Sequence, residues 1–248
     1  MTQRGFKVVV PARYASQRLP GKPLADIHGK PMIVWVYEAA RRSSATDVIV
    51  ATDDQRIAAA CRAANARVEL TAAQHASGTD RIAELAKRFA WADEQIVVNV
   101  QGDEPLLPPA LIDQVAGLLD AEPTAGLATL VTAVRDEREF RDPNVVKVVA
   151  DAAGRALYFS RAPIPYPLDG TPPASVRRHI GLYAYRTRSL KAIADAPPCT
   201  LETTERLEQL RALWIGVRIV VAEAVAVPPR AVDTAEDLVA VRRLAKSP

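Results

Sequence analysis

The sequence is poor in cysteine, in aromatic side chains and in an excess of either charge. Of its 248 residues only two are cysteines, too few for the disulfide scaffold of a small secreted domain. Phenylalanine, tryptophan and tyrosine make up 5% of the chain, and 32 basic residues against 29 acidic ones give a formal net charge of +3. Without a basic stripe or stacking aromatics, a nucleic-acid-binding module is disfavoured.

Long hydrophobic runs are missing as well. No uninterrupted apolar run reaches the roughly 18 residues of a membrane span. The first residues run directly into a strand pattern, without the apolar stretch of a signal peptide. We therefore expect a cytoplasmic protein of a reducing compartment, with no membrane partner. The 49% hydrophobic and 25% charged residues that are present are typical of a globular protein with a sizeable core.

Short β-branched runs alternate with helical patterns over the first hundred residues. The predicted strands are 6–10, 47–51, 67–71 and 96–100. The predicted helices are 31–43, 53–65 and 78–92. The first and last strands are almost wholly apolar, which indicates a parallel sheet covered on both faces. Right-handed crossovers would then place a ligand at the carboxyl ends of the strands.

The pattern changes after about residue 125. Strand-like stretches follow one another there with few helices between them, at 126–134, 145–149, 156–160 and 179–185. They predict mixed or antiparallel strands added to the sheet, as a small β-rich insertion over about 126–190. A strand at 217–227 and a helix from about 235 close the chain, and we expect one α/β domain over 1–248.

Helical spacing predicts which side chains face the core and how two helices begin. The residues expected to be buried are Ile57, Cys61 and Ala64, then Leu207, Leu210 and Trp214, and finally Leu238, Val241 and Leu244. Glu208 and Gln209 lie off the second of these stripes and are free to point at a ligand. The expected capping boxes are Thr52-x-x-Gln55 and Thr234-x-x-Asp237.

The first strand ends in a basic loop, residues 11–23, where such a sheet binds its ligand. A Walker loop does not fit, because Ser16 and Pro23 stand where that motif has glycine and a magnesium-binding hydroxyl. The loop can still hold a triphosphate through backbone N–H groups, with Arg13 and Lys22 supplying positive charge. Considered alone, the segment is also compatible with a solvated basic loop.

Two adjacent carboxylates, Asp103 and Glu104, follow the buried strand at 96–100. Because magnesium binds through one or two carboxylates together with substrate phosphates, the pair indicates a hard-cation site, and we favour Asp103. A cap for a following helix is the alternative. Asp233 precedes the last helix, where it suits the helix dipole. Spacing alone gives it no metal role.

Together these segments resemble one family in the same order along nearly the whole chain. The matching segments are 11–23, 31–33, 51–54, 75–81, 97–105, 142–147, 156–161, 178–181, 207–211 and 232–234. They are similar to the 3-deoxy-manno-octulosonate cytidylyltransferase (CMP-Kdo synthetase) family. The resemblance implies a Rossmann-like nucleotide-diphospho-sugar transferase fold, with a mixed, mostly parallel sheet flanked by helices, and a homodimer.

The resemblance also implies an activity. The family transfers CMP from CTP to 3-deoxy-D-manno-octulosonate (Kdo) with Mg²⁺ as the cofactor, which gives CMP-Kdo and pyrophosphate. This reaction activates Kdo for lipopolysaccharide biosynthesis. CTP and Kdo are therefore the expected small-molecule partners, with no nucleic acid involved.

Position by position, the resemblance assigns residues to three groups. Those expected to bind the nucleotide are Ala12, Arg13, Lys22, Ser77, Gly78 and Gln101. Those expected to line the sugar-acid pocket are Arg161, His179, Tyr183, Glu208 and Gln209. Asp103 and Asp233 would hold magnesium, and Lys22, Arg13 and Asp103 would be catalytic. The chain departs from the family at Ala231, where a glycine is usual.

Two other functions remain open from the sequence. A cytidylyltransferase for another sugar acid, such as sialic acid, would keep the chemistry and differ in the sugar pocket. A nucleotide-binding regulator that has lost catalysis would keep the CTP site, although retention of Asp103, Asp233 and Lys22 argues against it. A lone strand histidine such as His179 is more often structural, so only the resemblance places it at a ligand.

Overall fold

The computed structural model describes residues 5–15, 19–170 and 175–245. Ser16, on which part of the comparison with a Walker loop depends, lies outside them. The strands within these ranges are β1 (Lys7–Ala12), β2 (Asp26–Ile27), β3 (Lys30–Pro31), β4 (Asp47–Thr52), β5 (Val68–Leu70), β6 (Ile96–Asn99), β7 (Leu127–Ala133), β8 (Lys147–Ala150), β9 (Ala156–Ser160), β10 (Arg177–Arg186) and β11 (Ile219–Glu223).

Nine of these strands form one mixed sheet. Its main path runs β11-β7-β10-β6-β1-β4-β5, while β2 and β3 form a separate two-stranded ribbon. The pairs of β1 with β4 and β6, of β4 with β5, and of β7 with β11 are parallel. β10 runs antiparallel to both β6 and β7. The predicted mixed, mostly parallel sheet is confirmed.

Helices cover both faces of the sheet. They are α1 (Met32–Arg41), α2 (Gln55–Ala63), α3 (Gly78–Arg88), α4 (Pro109–Ala121), α5 (Glu137–Arg141), α6 (Thr187–Asp195), α7 (Thr200–Glu205), α8 (Gln209–Trp214) and α9 (Ala235–Leu244). The side chains of β1 alternate between the faces: Val8 and Val10 pack with α1, α2 and α4, and Val9 packs with α3, α6 and α8. Such alternation explains why the strand is apolar throughout.

The stretch 126–190 contains the four predicted strands, but they do not form one inserted unit. β7 and β10 are interior strands of the main sheet, since β7 lies between β11 and β10, and β10 between β7 and β6. β8 and β9 form a hairpin off this path, joined to it where β8 pairs with the start of β10. The expected β-rich insertion is therefore reduced to this hairpin.

Most of the expected core positions are confirmed. Ile57, Cys61, Leu207, Leu210, Leu238 and Val241 are buried, and Thr234 caps α9 through a reciprocal bond pair with Asp237. Trp214 and Leu244 were expected inside and are instead 61% and 64% exposed, because each is the last residue of its helix.

Two further expectations about α2 are wrong. Ala64 is exposed, because the helix ends at Ala63 and Ala64 is already its C-cap. Thr52 does not cap α2; the side chain of Asp54 accepts the backbone N–H groups of Arg56 and Ile57. The Thr52 hydroxyl instead accepts from the backbone N–H of Asp54.

The sheet brings the functional loops to one edge. β1, β4 and β6 are parallel neighbours, so the loops that follow them leave at their shared carboxyl ends. The segment before α9 reaches the same edge, where the backbone N–H of Val232 donates to the carbonyl of Asp103 at 2.9 Å. Among the described residues, no helix is long and apolar enough to cross a membrane.

Candidate functional site

A cavity of about 750 Å³ opens at the carboxyl ends of β1 and β6. We call it the larger cavity. It brings together every residue that the resemblance assigns to the nucleotide or to the metal, namely Ala12, Arg13, Lys22, Ser77, Gly78, Gln101, Asp103 and Asp233. Residues from widely separated parts of the sequence therefore share one wall.

Lys22 lies between the two carboxylates of this cavity. Its Nζ is 2.6 Å from Oδ2 of Asp103 and 3.3 Å from Oδ1 of Asp233. The ammonium offsets the repulsion between two carboxylates that the fold has brought together. Lys22 follows Gly21, whose φ of +69° suits glycine and turns the chain into a short 3₁₀ helix. The arrangement is a cation site built by the fold.

The same two carboxylates fit a divalent metal ion. Magnesium takes oxygen ligands, and usually only one or two of them are carboxylates, while phosphates and water complete the shell. No cluster of three or more metal-binding side chains occurs in the part of the chain that the structure describes. A metal here would therefore depend on oxygen atoms from a bound ligand, and Lys22 would have to release the carboxylates.

The N-terminus of α3 also lines the larger cavity. Ser77 caps this eleven-residue helix in a reciprocal pair with Asp80: Ser77 Oγ accepts from the Asp80 backbone, and Oδ2 of Asp80 accepts from the Ser77 backbone. The backbone N–H groups at a helix start and the helix dipole favour an acceptor atom or a negative charge. Ser77 and Gly78 line the cavity and present this end to a ligand.

Close backbone approach explains two glycines here. A Cβ on Gly102 would lie 2.7 Å from the carbonyl oxygen of Pro11, and one on Gly78 would lie 2.9 Å from Cγ of the same proline. Only glycine lets the loop after β6 and the start of α3 both pack against the end of β1. These two contacts fix the positions of the residues next to each glycine.

Arg81, to which the sequence motifs assign no role, is 3% exposed and also lines the larger cavity. Its guanidinium lies 3.1 Å from Oδ2 of Asp53 and donates to Oγ1 of Thr71 at 2.8 Å and to the Ala72 carbonyl at 3.1 Å. It thus ties α3 to the ends of β4 and β5. Asp53 lies in the motif at 51–54 and Arg81 in the motif at 75–81, but nothing in the spacing of the motifs shows that these two side chains pair.

A second cavity, of about 350 Å³, adjoins the first. We call it the tyrosine-lined cavity, after Tyr183 and Tyr185. It shares Gly78, Gln101, Asp103 and Glu208 with the larger cavity, and three of the expected sugar-acid contacts line it: Tyr183, Glu208 and Gln209. The two cavities therefore meet at the expected metal ligand Asp103.

Several polar atoms in the wall of the tyrosine-lined cavity lack partners. Oδ1 of Asn99, Oε2 of Glu104 and Nε2 of Gln209 are buried without a hydrogen bond to any described residue. Burial, together with the charge of Asp103, raises the pKa of Glu104 to about 8. Since an unpaired buried polar group is costly, such a wall suits a ligand rich in hydroxyl groups.

The other two expected sugar-acid contacts, Arg161 and His179, lie behind this wall and do not line either cavity as described. The guanidinium of Arg161 donates to the carbonyl oxygens of Glu205 at 2.6 Å, Pro143 at 2.9 Å and Arg206 at 3.4 Å. It supports the segment that leads to Glu208. A positive side chain that does line the cavity is Arg206, which the sequence did not single out.

His179 packs among aromatic rings. Its ring centroid lies 5.2 Å from those of Phe159 and Tyr183, and Nε2 is 3.1 Å from Oγ1 of Thr129. Burial lowers the pKa of His179 to about 3, so the ring is neutral near pH 7. It therefore supports Tyr183 as an uncharged ring.

Comparison with known proteins points to one family. The cytidylyltransferase family model matches residues 7–219. The 3-deoxy-manno-octulosonate cytidylyltransferase of Pseudomonas fluorescens is 58% identical over 247 residues, which cover 96% of this chain and 97% of that one. The protein of the same name from Pseudomonas syringae pv. tomato is 57% identical with the same coverage.

Solved structures agree. A structure of CMP:2-keto-3-deoxy-manno-octonic acid synthetase complexed with CTP superposes with a TM-score of 0.91 at 41% identity, over 97% of this chain and 98% of that one. A structure of 4-diphosphocytidyl-2C-methyl-D-erythritol synthase, 14% identical, superposes with a TM-score of 0.65 over 97% of this chain and 99% of that one. At that identity the likeness shows the fold alone.

The lowered pKa of His179 predicts a measurable pH dependence of stability. Below pH 6.5 the unfolded chain binds a proton at this residue and the folded chain does not, so the free energy of unfolding falls as the pH falls. Between pH 7 and pH 5 this one residue should contribute a loss of about 2 kcal/mol. Urea denaturation at a series of pH values measures the free energy of unfolding. In His179→Gln this part of the pH dependence should be lost, whereas in His28→Gln, at an exposed position, it should remain. The same pH dependence of the free energy of unfolding in the wild type and in both variants would contradict a neutral His179.

Proposed function

Since the chain belongs to the 3-deoxy-manno-octulosonate cytidylyltransferase family, we infer that its two adjoining cavities bind CTP and Kdo. The enzyme transfers CMP from CTP to Kdo and releases pyrophosphate. The observation that carries the assignment of the site is Lys22 held between Asp103 and Asp233 in the larger cavity, with Asp103 shared by both cavities. The CMP-Kdo so formed would serve lipopolysaccharide biosynthesis.

We place CTP in the larger cavity. The side chains of Arg13 and Lys22 would supply positive charge for the phosphates, while Ser77, Gly78 and Gln101 would face the cytidine. Ala12 lines the same cavity. The N-terminal end of α3 supports this placement, because its N–H groups suit the acceptor atoms of a pyrimidine or phosphate. Arg81 fixes this helix against β4 and β5 from behind.

Asp103 and Asp233 would hold Mg²⁺ once CTP brings its phosphate oxygens. When bound, the ion would neutralise phosphate charge and lower the pKa of the attacking hydroxyl. Lys22 would then leave the carboxylates and donate to the phosphates. This exchange is favourable because Lys22 would replace its two carboxylate partners with phosphate oxygens. The two carboxylates would in turn replace the singly charged lysine with the doubly charged metal ion.

Kdo would occupy the tyrosine-lined cavity. Nε2 of Gln209 and the carboxylate of Glu208 would bond its hydroxyl groups, and Tyr183 would form the apolar side of the pocket. A sugar hydroxyl oxygen then forms a bond to the α-phosphorus as the bond to pyrophosphate breaks, and the hydroxyl proton passes to water or to the departing pyrophosphate. Such a step needs in-line placement and charge stabilisation, for which Lys22 and Arg13 are the available cations.

Replacement of Asp103 tests the proposed reaction directly. The rate of pyrophosphate release from CTP and Kdo with magnesium should fall at least about a hundredfold in Asp103→Asn. The variant would hold the metal ion poorly, so the charge that develops on the phosphates would lose its stabilisation. The matched control is Asp195→Asn, at a surface ion pair whose side chain is 63% exposed. Near-normal rates in Asp103→Asn would remove this residue as a metal ligand. If the wild type releases pyrophosphate with sialic acid but not with Kdo, its substrate is sialic acid. If it binds CTP without any turnover, an inactive regulator is favoured.

Arg161 is proposed to act on the Kdo pocket through the segment that carries Glu208. Arg161→Ala removes the three donated bonds that hold Pro143, Glu205 and Arg206, so the Michaelis constant for Kdo should rise about tenfold, with that for CTP little changed. Steady-state kinetics with each substrate varied in turn measures the two constants. Arg138→Ala, at an exposed arginine, is the control. Equal rises for both substrates would contradict this role.

We also propose that the enzyme is a homodimer whose interface includes the β8–β9 hairpin. Leu157 in β9 is 62% exposed, and Val225 and Val227, just after the neighbouring β11, are 69% and 65% exposed. Such exposed apolar groups are typical of an interface. Sedimentation equilibrium should give twice the 26.8 kDa chain mass. Leu157→Asp should give the monomer and Leu244→Asp should not; a monomeric wild type would overturn the proposal.

Two broader expectations remain part of this proposal. We propose that the chain works as a single domain, which the two core clusters on opposite faces of one sheet support. We also propose a cytoplasmic location. It is supported by Cys61 and Cys199, which are both buried free thiols.

A further inference from the structure

One hydrogen bond joins the two cavities through a residue that has no role so far. Thr79 follows Ser77 and Gly78 in the first turn of α3 and is 6% exposed. Its hydroxyl donates to Oε2 of Glu208 at 3.0 Å. Glu208 lines both cavities, while Ser77 lines the larger one. The bond therefore links the helix start expected to contact CTP with a carboxylate expected to contact Kdo.

The Glu208 carboxylate depends on this bond for its position. Among the described residues, Thr79 is the one side chain found to donate to it. A glutamate side chain has three rotatable bonds and adopts many rotamers when it is unrestrained. Fixing it in one of them needs a partner that is itself held in place.

Thr79 is such a partner. Its branched side chain has few rotamers in a helix, and the helix start is fixed by the reciprocal bonds of Ser77 and Asp80. A displacement of the start of α3 would therefore move the Thr79 hydroxyl and with it the Glu208 carboxylate.

We infer that Thr79 is a positioning residue that fixes Glu208 for Kdo and couples the Kdo pocket to the nucleotide bound at the start of α3. The inference rests on the proposed function, because it takes the two cavities as the CTP and Kdo sites. CTP bound against Ser77 and Gly78 would hold the helix start in place, so that Glu208 is ordered before the sugar acid arrives. Kdo should then bind more tightly in the presence of CTP.

Kinetics of two Thr79 variants test the positioning role. Thr79→Val removes the hydroxyl at nearly constant shape and should raise the Michaelis constant for Kdo about tenfold or more, because a bond to a charged group is lost. The constant for CTP and the melting temperature should stay near the wild-type values. Thr79→Ser restores the hydroxyl and should restore the Kdo constant.

Thr203→Val is the matched control, since the Thr203 hydroxyl donates only to carbonyls at the start of its own helix α7. A Thr79→Val enzyme with an unchanged Kdo constant would overturn the inference. So would equal rises for Kdo and CTP with a lowered melting temperature, which would show a purely structural role. A wild-type enzyme that releases no pyrophosphate from CTP and Kdo would instead overturn the proposed function, and the inference with it.

Binding measurements test the coupling. Without divalent metal, titration calorimetry of Kdo into the wild type should show tighter binding when CTP is present. In Thr79→Val this gain should be largely lost, and in Thr79→Ser it should return. The same gain in Thr79→Val as in the wild type would contradict coupling through this residue, even if its Kdo constant is raised.

Discussion

The ion pairs of Lys22 with Asp103 and Asp233 are the interaction on which the site depends. Two carboxylates from distant parts of the chain meet at one point, and their repulsion must be offset by a cation for the folded state to hold them there. Lys22 supplies that charge from the loop after β1. In the proposed function the same lysine would move to the phosphates of CTP, so the ligand-free site already holds the positive charge that the metal ion would replace.

This meeting is possible because Gly102 and Gly78 have no side chain where they approach Pro11. Pro11, at the end of β1, touches the backbone of Gly102 on one side and of Gly78 on the other. The first contact brings Asp103 beside the basic loop, and the second brings the start of α3 against the same edge. The bond from Val232 to the Asp103 carbonyl then places Asp233. The electrostatic site is thus a consequence of close backbone packing.

The sequence predicts the parallel half of the fold well, because β1, β4 and β6 are short apolar runs separated by amphipathic helices. It does less well where the local signal is weak. The helices α5, α7 and α8 have only five or six residues, too few to show a clear helical periodicity. The residues expected to bind the nucleotide and the metal come from the motifs that carry the family resemblance. The Arg81–Asp53 pair and the carbonyl contacts of Arg161 do not, since such pairings arise only from tertiary packing.

In the proposed assignment, the two cavities differ in the charge of their walls. The larger one has Arg13, Lys22 and a helix N-terminus, which suit phosphates. The wall of the other consists largely of neutral groups, with tyrosines, Asn99 and Gln209, and the uncharged His179 ring behind it. Neutral donors and acceptors in a buried wall discriminate among hydroxyl patterns, because a mismatched sugar leaves one of them unpaired. Asp103 and Glu208 lie where the cavities join, so both carboxylates would stand beside the attacking hydroxyl in the proposed reaction.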